Sequence, residues 1–271
     1  MNNILSLYNI EFKRIYKWLL ALLGVLVAGN IFIFLDGIKD TINAVSANLQ
    51  GKPNISMLKL QEAKYILGEF GIYNMKHLIN LLLGLCVLIC LSYALIIWYR
   101  DVIGKSKTGY TLFMLPQNKI NVYIAKALTV ITMIYITTLT QIALFTAGLS
   151  AIKSLVGFTS EEMNLILYSN ARRDLCLIQP YLIDFIMINV VGVILAVVVI
   201  FTGVMLQKSF KVPGIVLGVV YIIGSIGIFF YLLGTAQYTD RLLMYHVGYS
   251  IVLFLVSIGL SYTLLNKKVY I

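Results

Sequence analysis

Six long apolar runs, separated by polar connections, dominate the sequence. They occupy residues 18–35, 78–98, 127–151, 181–206, 212–233 and 242–265. About 20 mostly apolar residues allow a helix to cross the roughly 30 Å of hydrocarbon in a bilayer. A composition that is 60% hydrophobic and only 12% charged cannot give 271 residues a water-facing surface. The sequence therefore predicts an all-α membrane protein with six transmembrane helices in a single domain, residues 1–271.

Basic residues collect in alternate connections. The N-terminus, the second and fourth connections and the C-terminus hold twelve Lys and Arg against two acidic residues, whereas the other connections hold nine of each sign. Lys and Arg near the spans are retained in the cytoplasm during insertion. We therefore predict that both termini are cytoplasmic. Anionic lipid of the inner leaflet accounts for the excess positive charge, so the bilayer is an expected partner and nucleic acid is not.

Residues 1–17 precede the first span and alternate apolar and charged positions at helical spacing. The apolar set is Ile4, Leu5, Tyr8, Phe12 and Ile15, continued by Trp18, and the charged set is Glu11, Lys13, Arg14 and Lys17. This pattern predicts an amphipathic helix that lies on the membrane interface. A solvated basic leader to the first span is the alternative.

Two polar segments fall on the predicted outer side, at residues 36–77 and 152–180. The first has mixed charges and a predicted helix at residues 56–69. Neither segment is large enough to form a separate enzyme domain. We expect a small cap that shapes an outward opening, or loosely ordered loops. An immunity function, in which these segments hold a toxic peptide at the membrane surface, is compatible with either arrangement.

The predicted cytoplasmic connection at residues 99–126 is the most informative segment. Tyr110, Phe113 and Met114 fall on one face of a short helix that Pro116 stops. Aromatic and Met side chains flanked by cations suit docking into a groove on another protein, where such residues supply most of the contact energy. On periodicity alone, a re-entrant or interfacial helix on the bilayer is an equal alternative.

A sequence motif in this connection points to a family. The residues from Gly109 to Lys119 read Gly-Tyr-Thr-Leu-Phe-Met-Leu-Pro-Gln-Asn-Lys, and Tyr123 and Lys126 follow. The pattern resembles the motif that precedes span three in permeases of the type-2 ABC transporter family. The resemblance extends to the plan of an amphipathic N-terminal helix, six spans and both ends inside. One departure is Lys107, which stands where an acidic residue is common, so a salt bridge usual at that point is not expected.

The resemblance implies that the segment is a coupling helix inserted into a cytoplasmic ATPase subunit. The coupling residues would be Gly109, Tyr110, Leu112, Phe113, Met114, Leu115, Pro116 and Lys119. Pro116 would fix the angle of the segment, and Lys119 would orient it against acidic residues or lipid phosphates. The implied assembly is an ABC exporter that contains a second permease chain, identical or different, and a separate ATPase that binds ATP and Mg²⁺.

No catalytic residue, cofactor or metal is expected in this chain itself. The Gly-Lys-Ser tripeptide at residues 104–106 has Tyr99 where a phosphate-binding loop needs its first Gly, so it is interpreted as a solvated basic turn. Cys86 and Cys90 share a helix face but have no further ligands at their depth, which favours packing over metal binding. The chain is therefore predicted to be a permease and not an enzyme.

The cargo, the membrane and the alternative function follow from composition. No charged residue lies near midplane, which argues against an ionic cargo and favours a peptide antibiotic, a drug or a lipid-like compound. Asp184 is expected at the outer interface or a polar vestibule, with proton coupling as the alternative. Abundant Lys, Ile and Asn suit a bacterial plasma membrane. A non-transporting scaffold or sensor that recruits a signalling partner shares every feature except the ATPase and remains the alternative function.

Small and polar residues within the spans leave two questions open. Small residues recur at Gly24 and Ala28, Gly214 and Gly218, and Gly224 and Gly227. Such spacing lets helices approach closely, either within the chain or at a subunit interface. The polar residues are Thr137, Thr138, Thr140, Gln141, Asn189 and Thr202. They either line a translocation path or form hydrogen bonds within their own helices.

Overall fold

The computed structural model describes residues 2–48, 72–103, 119–156, 159–161, 164, 182–235 and 240–267. The elements in these ranges are α1 (Asn2–Asn48), α2 (Ile72–Ile103), α3 (Lys119–Val156), α4 (Leu182–Phe185), a π-helical segment (Ile186–Gly192), α5 (Val193–Thr235) and α6 (Asp240–Lys267). Six stretches are long and apolar enough to cross a membrane: Ile4–Asp40, Asn74–Arg100, Lys119–Ser154, Ile186–Phe210, Pro213–Leu232 and Met244–Asn266. The described residues form helices and no strands, the chain is a multi-pass membrane protein, and the six predicted spans are confirmed.

Helix α1 is longer than a bilayer is thick. It contains 47 residues, whereas about 20 are enough to cross roughly 30 Å of hydrocarbon. Residues 2–17 and the first apolar run belong to this one helix, so no helix end falls at residue 18. The N-terminal segment is therefore helical, whereas its position on a membrane interface stays a prediction.

The helices also extend into the segments that the sequence assigned to connections. Helix α1 reaches Asn48 and α2 begins at Ile72, so both ends of the predicted outer segment 36–77 are helical. Helix α3 continues to Val156, within the segment 152–180. The predicted helix at residues 56–69 and most of the segment 99–126 lie outside the described residues. Asp184 falls within α4, and its side chain is outside the described set.

Helix α5 contains a reversal of the chain. Gly203 and Gly218 would be about 22 Å apart in a straight helix. Instead, a Cβ added to Gly218 would lie 2.6 Å from the carbonyl oxygen of Gly203. At the turn itself, a Cβ added to Gly214 would lie 2.5 Å from the carbonyl oxygen of Leu206. The α5 hairpin, defined as residues 193–235, therefore supplies most of span four and all of span five, and only glycine allows its two arms to approach this closely.

The remaining small residues behave differently. Gly24, Gly224 and Gly227 have no heavy atom within 4 Å of an added Cβ among the described residues outside their own helices. Close packing within the chain is therefore confirmed for Gly214 and Gly218. It is not seen for these other three glycines.

The chain divides into two compact units. The first unit comprises Met1–Lys17, Leu88–Ile134 and Ile186–Ile271, and the second comprises Trp18–Val87 and Tyr135–Phe185. In the first unit, α6 packs on α5 through small polar residues: the Thr202 hydroxyl lies 2.9 Å from Ser261 Oγ, and the Tyr221 hydroxyl lies 2.6 Å from Ser257 Oγ. Small side chains that bond across helices are typical of packing in membranes. Thr202 thus joins two helices.

The second unit combines an apolar core with one buried polar pair. The core residues are Ile72, Met75, Ile79, Phe145 and Ile152, and Ile33, Phe34, Ile38 and Leu149 pack against them. The amide pair consists of the buried side chains of Asn30 and Gln141. Asn30 Nδ2 donates to Gln141 Oε1 at 2.8 Å, and Gln141 Nε2 donates to Asn30 Oδ1 at 2.7 Å. Gln141 therefore bonds to helix α1 and not to its own helix.

Candidate functional site at the end of helix α2

The described part of the predicted coupling region is its base. Residues Gly109, Tyr110, Leu112, Phe113, Met114, Leu115 and Pro116 lie outside the described residues. Lys119 is the first residue of α3. Its Nζ donates to the carbonyl oxygen of Leu265, which lies in the last turn of α6, at 3.4 Å. A Lys beside helix C-terminal carbonyls is a favourable arrangement. The base of the segment consists of the last turns of α2 and the first turns of α3.

Four consecutive residues near the end of α2, Ile97 to Arg100, form what we call the hub. Two lysines donate to its backbone carbonyls: Lys126 Nζ lies 3.0 Å from Ile97 O, and Lys208 Nζ lies 3.0 Å from Trp98 O. A carbonyl oxygen has two lone pairs, so these bonds are compatible with the helical ones. Cations near a helix C-terminus also interact favourably with the helix dipole. Helix α3 and the α5 hairpin are both attached to α2 in this way.

The indole ring of Trp98 lies between these attachments. The Nζ atoms of Lys126 and Lys208 are 4.9 and 5.5 Å from the Trp98 ring centroid, within the range of cation–π attraction. Trp98 also packs on Tyr123 and Phe201, with ring centroids 6.2 and 5.5 Å apart respectively. The buried ring thus contacts α3 and the α5 hairpin and lies against both ammonium groups.

The side chains of the other two hub residues reach different helices. The Tyr99 hydroxyl donates to Gln207 Oε1 in the α5 hairpin. The Arg100 guanidinium donates to Glu11 Oε2 in α1 and to the Tyr93 hydroxyl at 2.6 Å. Three elements, α1, α3 and the α5 hairpin, therefore meet within about one helical turn at the end of α2.

Glu11 is the anion of a buried ion cluster. Its side chain is only 6% exposed, and its Oε1 lies 3.6 Å from Lys126 Nζ and 3.9 Å from the Arg14 guanidinium, while Arg100 bonds the other oxygen. Lys126 is 1% exposed. A buried ammonium or carboxylate is costly unless it is paired and hydrogen-bonded. Each charge therefore permits the burial of the other.

The first turns of α1 place Glu11 at this position. Leu7, Glu11 and Ile15 recur every four residues and are buried, and Leu7 packs on Val122 and Ala125 of α3. The sequence pattern placed Glu11 on the exposed charged face, and this is wrong. The physical reason is that Arg100 and Lys126, which lie far along the chain, supply the cationic partners that the burial of Glu11 requires.

Among the described residues, no group of three or more His, Cys, Asp or Glu side chains is placed to hold a metal ion. The hub's polar contacts join backbone and side chains of neighbouring helices.

Sequence reasoning singled out some residues of this site and missed others. Lys119, Tyr123 and Lys126 formed part of the quoted motif, whereas Trp98, Gln207 and Lys208 had no predicted role at the site. One feature of the sequence could have indicated burial of Glu11, because Glu11 is the single acidic residue among residues 1–35. A lone acid spaced by four from Leu7 and Ile15 is a candidate for a buried ion pair.

Comparison with known proteins gives no further identification, because no protein-family model, curated protein or solved structure matches this chain.

Proposed function

We propose that this chain is the membrane-spanning permease subunit of an ATP-driven ABC exporter in a bacterial plasma membrane, with both termini cytoplasmic. A separate ATPase subunit binds ATP and Mg²⁺, and a second permease chain, identical or different, completes the assembly. The cargo is an amphipathic or hydrophobic compound such as a peptide antibiotic, a drug or a lipid-like molecule. The proposal rests on the motif from Gly109 to Lys119 and on the contacts at its base.

The observation that carries the proposal is the convergence of contacts at Ile97 to Arg100. A segment that receives force from a partner needs a base joined to the helices that must move. Lys126 and Lys208 attach α3 and the α5 hairpin to the carbonyls of Ile97 and Trp98, and Glu11 attaches α1 to Arg100. A connection that is only a passive linker has no need of buried ion pairs at its base.

In this proposal, the segment 104–118 docks into a groove of the ATPase. Tyr110, Phe113 and Met114 supply the contact area, and Pro116 sets the direction of the chain. Movement of the segment during the ATPase cycle is passed to the hub.

The first experiment tests docking. We expect the double variant Phe113→Ala/Met114→Ala to lose most of the ATPase that copurifies with the wild-type chain in mild detergent, because large side chains at a groove dominate binding energy. The matched control is Leu85→Ala/Leu88→Ala, which truncates two exposed residues of span two. Copurification that is unchanged in the Phe113/Met114 variant would reject the docking role. Copurification of a protein without ATPase activity would favour a scaffold or sensor.

The second experiment tests topology. Cysteines introduced at Ser106 or Asn118 in a cysteine-free background are expected to resist an impermeant maleimide added to intact cells. Both should react after permeabilisation. Efficient labelling of intact cells would place the segment outside the cell and overturn the proposal.

A further inference from the structure

The ion cluster at Glu11 joins the N-terminal turns of α1 to both stems of the segment 104–118. One stem is the end of α2, which carries Arg100, and the other is the start of α3, which carries Lys126. Glu11 contacts both cations, one on each carboxylate oxygen. The apolar contact of Leu7 reaches only one stem, because Leu7 packs on α3 through Val122 and Ala125.

Lys126 adds a second tie that is independent of Glu11. Its ammonium group donates to Ile97 O and lies over the Trp98 ring. The two stems are therefore joined directly, and Glu11 fastens the N-terminal turns of α1 to that joint. A hydrogen bond to a defined carbonyl and a carboxylate held on both oxygens restrict geometry more than apolar packing does.

From this geometry we infer that Glu11 and Lys126 are positioning residues that make the N-terminal turns of α1 move together with the two stems, the end of α2 and the start of α3. The inference rests on the proposed function and goes beyond it, because it assigns residues 2–17 a part in transmission. Glu11 and Lys126 contact neither ATP nor cargo in this scheme. They set the angle between the stems and carry a displacement of the segment to α1.

A purely stabilising ion pair would look the same in a static structure, so the test must separate the two roles. When one charge is removed, the other is left buried without its partner. When both are removed together, at least half of the lost stability should return, since neutral side chains of similar size often replace a buried ion pair without loss. The variant Glu11→Gln/Lys126→Met is therefore expected to fold but to lack the ion pair between α1 and α3.

The experiment follows the N-terminal turns directly. Asn9 is exposed on α1, so it is replaced by Cys in a chain whose three native cysteines are changed to Ala. The chain is purified with the ATPase that copurifies with it, and the rate of maleimide labelling at position 9 is measured with and without ATP and Mg²⁺. We expect a several-fold nucleotide-dependent change in rate, which is lost in Glu11→Gln/Lys126→Met.

Two control variants accompany the measurement. Lys126→Arg keeps the charge and a donor and should retain the nucleotide-dependent change. Lys13→Met removes an exposed cation of the same helix and should also retain it.

The outcomes separate the inference from the function on which it rests. If the ATPase copurifies and the double variant still shows the nucleotide-dependent change, the positioning role is overturned and the permease assignment survives. The positioning role is also overturned, and the permease assignment again survives, if the Asn9→Cys chain itself shows no nucleotide-dependent change. If no ATPase copurifies with the wild-type chain, the proposed function is overturned and the inference with it.

Discussion

The two compact units each bury a polar contact, and the two contacts differ in charge. In the first unit, Glu11 and Lys126 are ionised groups held at the hub. In the second unit, Asn30 and Gln141 are neutral amides that satisfy each other. The charged pair lies just outside the apolar runs 18–35 and 127–151, whereas the amide pair lies inside them.

This difference reflects the cost of polar groups in hydrocarbon. An unpaired amide costs a few kcal/mol there, whereas an isolated ionised group costs far more. Charges are therefore more easily tolerated near helix ends, and Arg100, near the end of α2, is 28% exposed at its side chain. Neutral amides can link helices deeper in the spans. The first unit is thus expected to contain the strong, specific joint and the second a weaker, replaceable one.

The largest effect is expected when one partner of the ion cluster is removed. Glu11→Gln should lower the free energy of unfolding by about 3 to 5 kcal/mol, because Lys126 and Arg100 would lose their shared anion. Adding Lys126→Met to that variant should restore at least half of the loss. Denaturant titration in detergent micelles would measure both. If the double variant were as unstable as the sum of the two single variants, the charges would not act as a pair.

A second effect tests a contact with no charge at all. Gly218→Ala should destabilise the chain by about 1 to 3 kcal/mol, because its Cβ would meet the Gly203 carbonyl oxygen, a backbone atom that cannot rotate away. Gly224→Ala is the matched control, with open space around the added methyl group. It should be neutral or stabilising by up to about 1 kcal/mol, as expected of Gly to Ala in a helix. Equal effects at the two positions would contradict the hairpin contact.

The amide pair should respond less than the ion cluster. Asn30→Leu is expected to cost about 1 to 2 kcal/mol, because Gln141 would be left without its partner in a buried site. Asn30→Leu/Gln141→Leu should be close to the wild type in thermal stability, since both polar groups are then gone. A loss as large as that of Glu11→Gln would remove the distinction between the two units.

The smallest effect is expected at Lys119. Its ammonium group lies 3.4 Å from the Leu265 carbonyl oxygen and is partly exposed. Lys119→Met should therefore change the unfolding free energy by less than about 1 kcal/mol, the usual limit for an exposed cation at a helix C-terminus. Lys126→Met, measured in parallel, should have a several-fold larger effect. Similar values for the two lysines would mean that burial does not govern their contribution.

The spans were predictable because hydrophobicity is a local property of the sequence. Each of the six apolar runs corresponds to a confirmed span. For most of the span ends, the observed boundary lies within about two helical turns of the predicted one. The continuity of α1 through residue 18 was not predicted. The sequence pattern changes there from amphipathic to uniformly apolar, and a helix can contain both patterns without a break.

The hub illustrates what a pattern along the chain cannot contain. Glu11 and Arg100 are 89 residues apart, and Tyr99 and Gln207 are 108 apart. In the sequence, Lys208 is only one more positive charge of its connection, yet in the structure it donates to the carbonyl of Trp98. Pairing of this kind depends on which helices are neighbours, and no local periodicity encodes that.

By itself, the sequence determined that this chain belongs in a membrane, how many times it crosses, and where its glycines and charges stand. Hydrophobicity accumulates residue by residue, so a linear string is enough to reveal it. Only the tertiary structure decided that Glu11 faces inward, that residues 97–100 join three other elements, and that Asn30 bonds Gln141. Each of these requires two distant residues to share a buried space, because a buried charge or amide is stable only beside its partner.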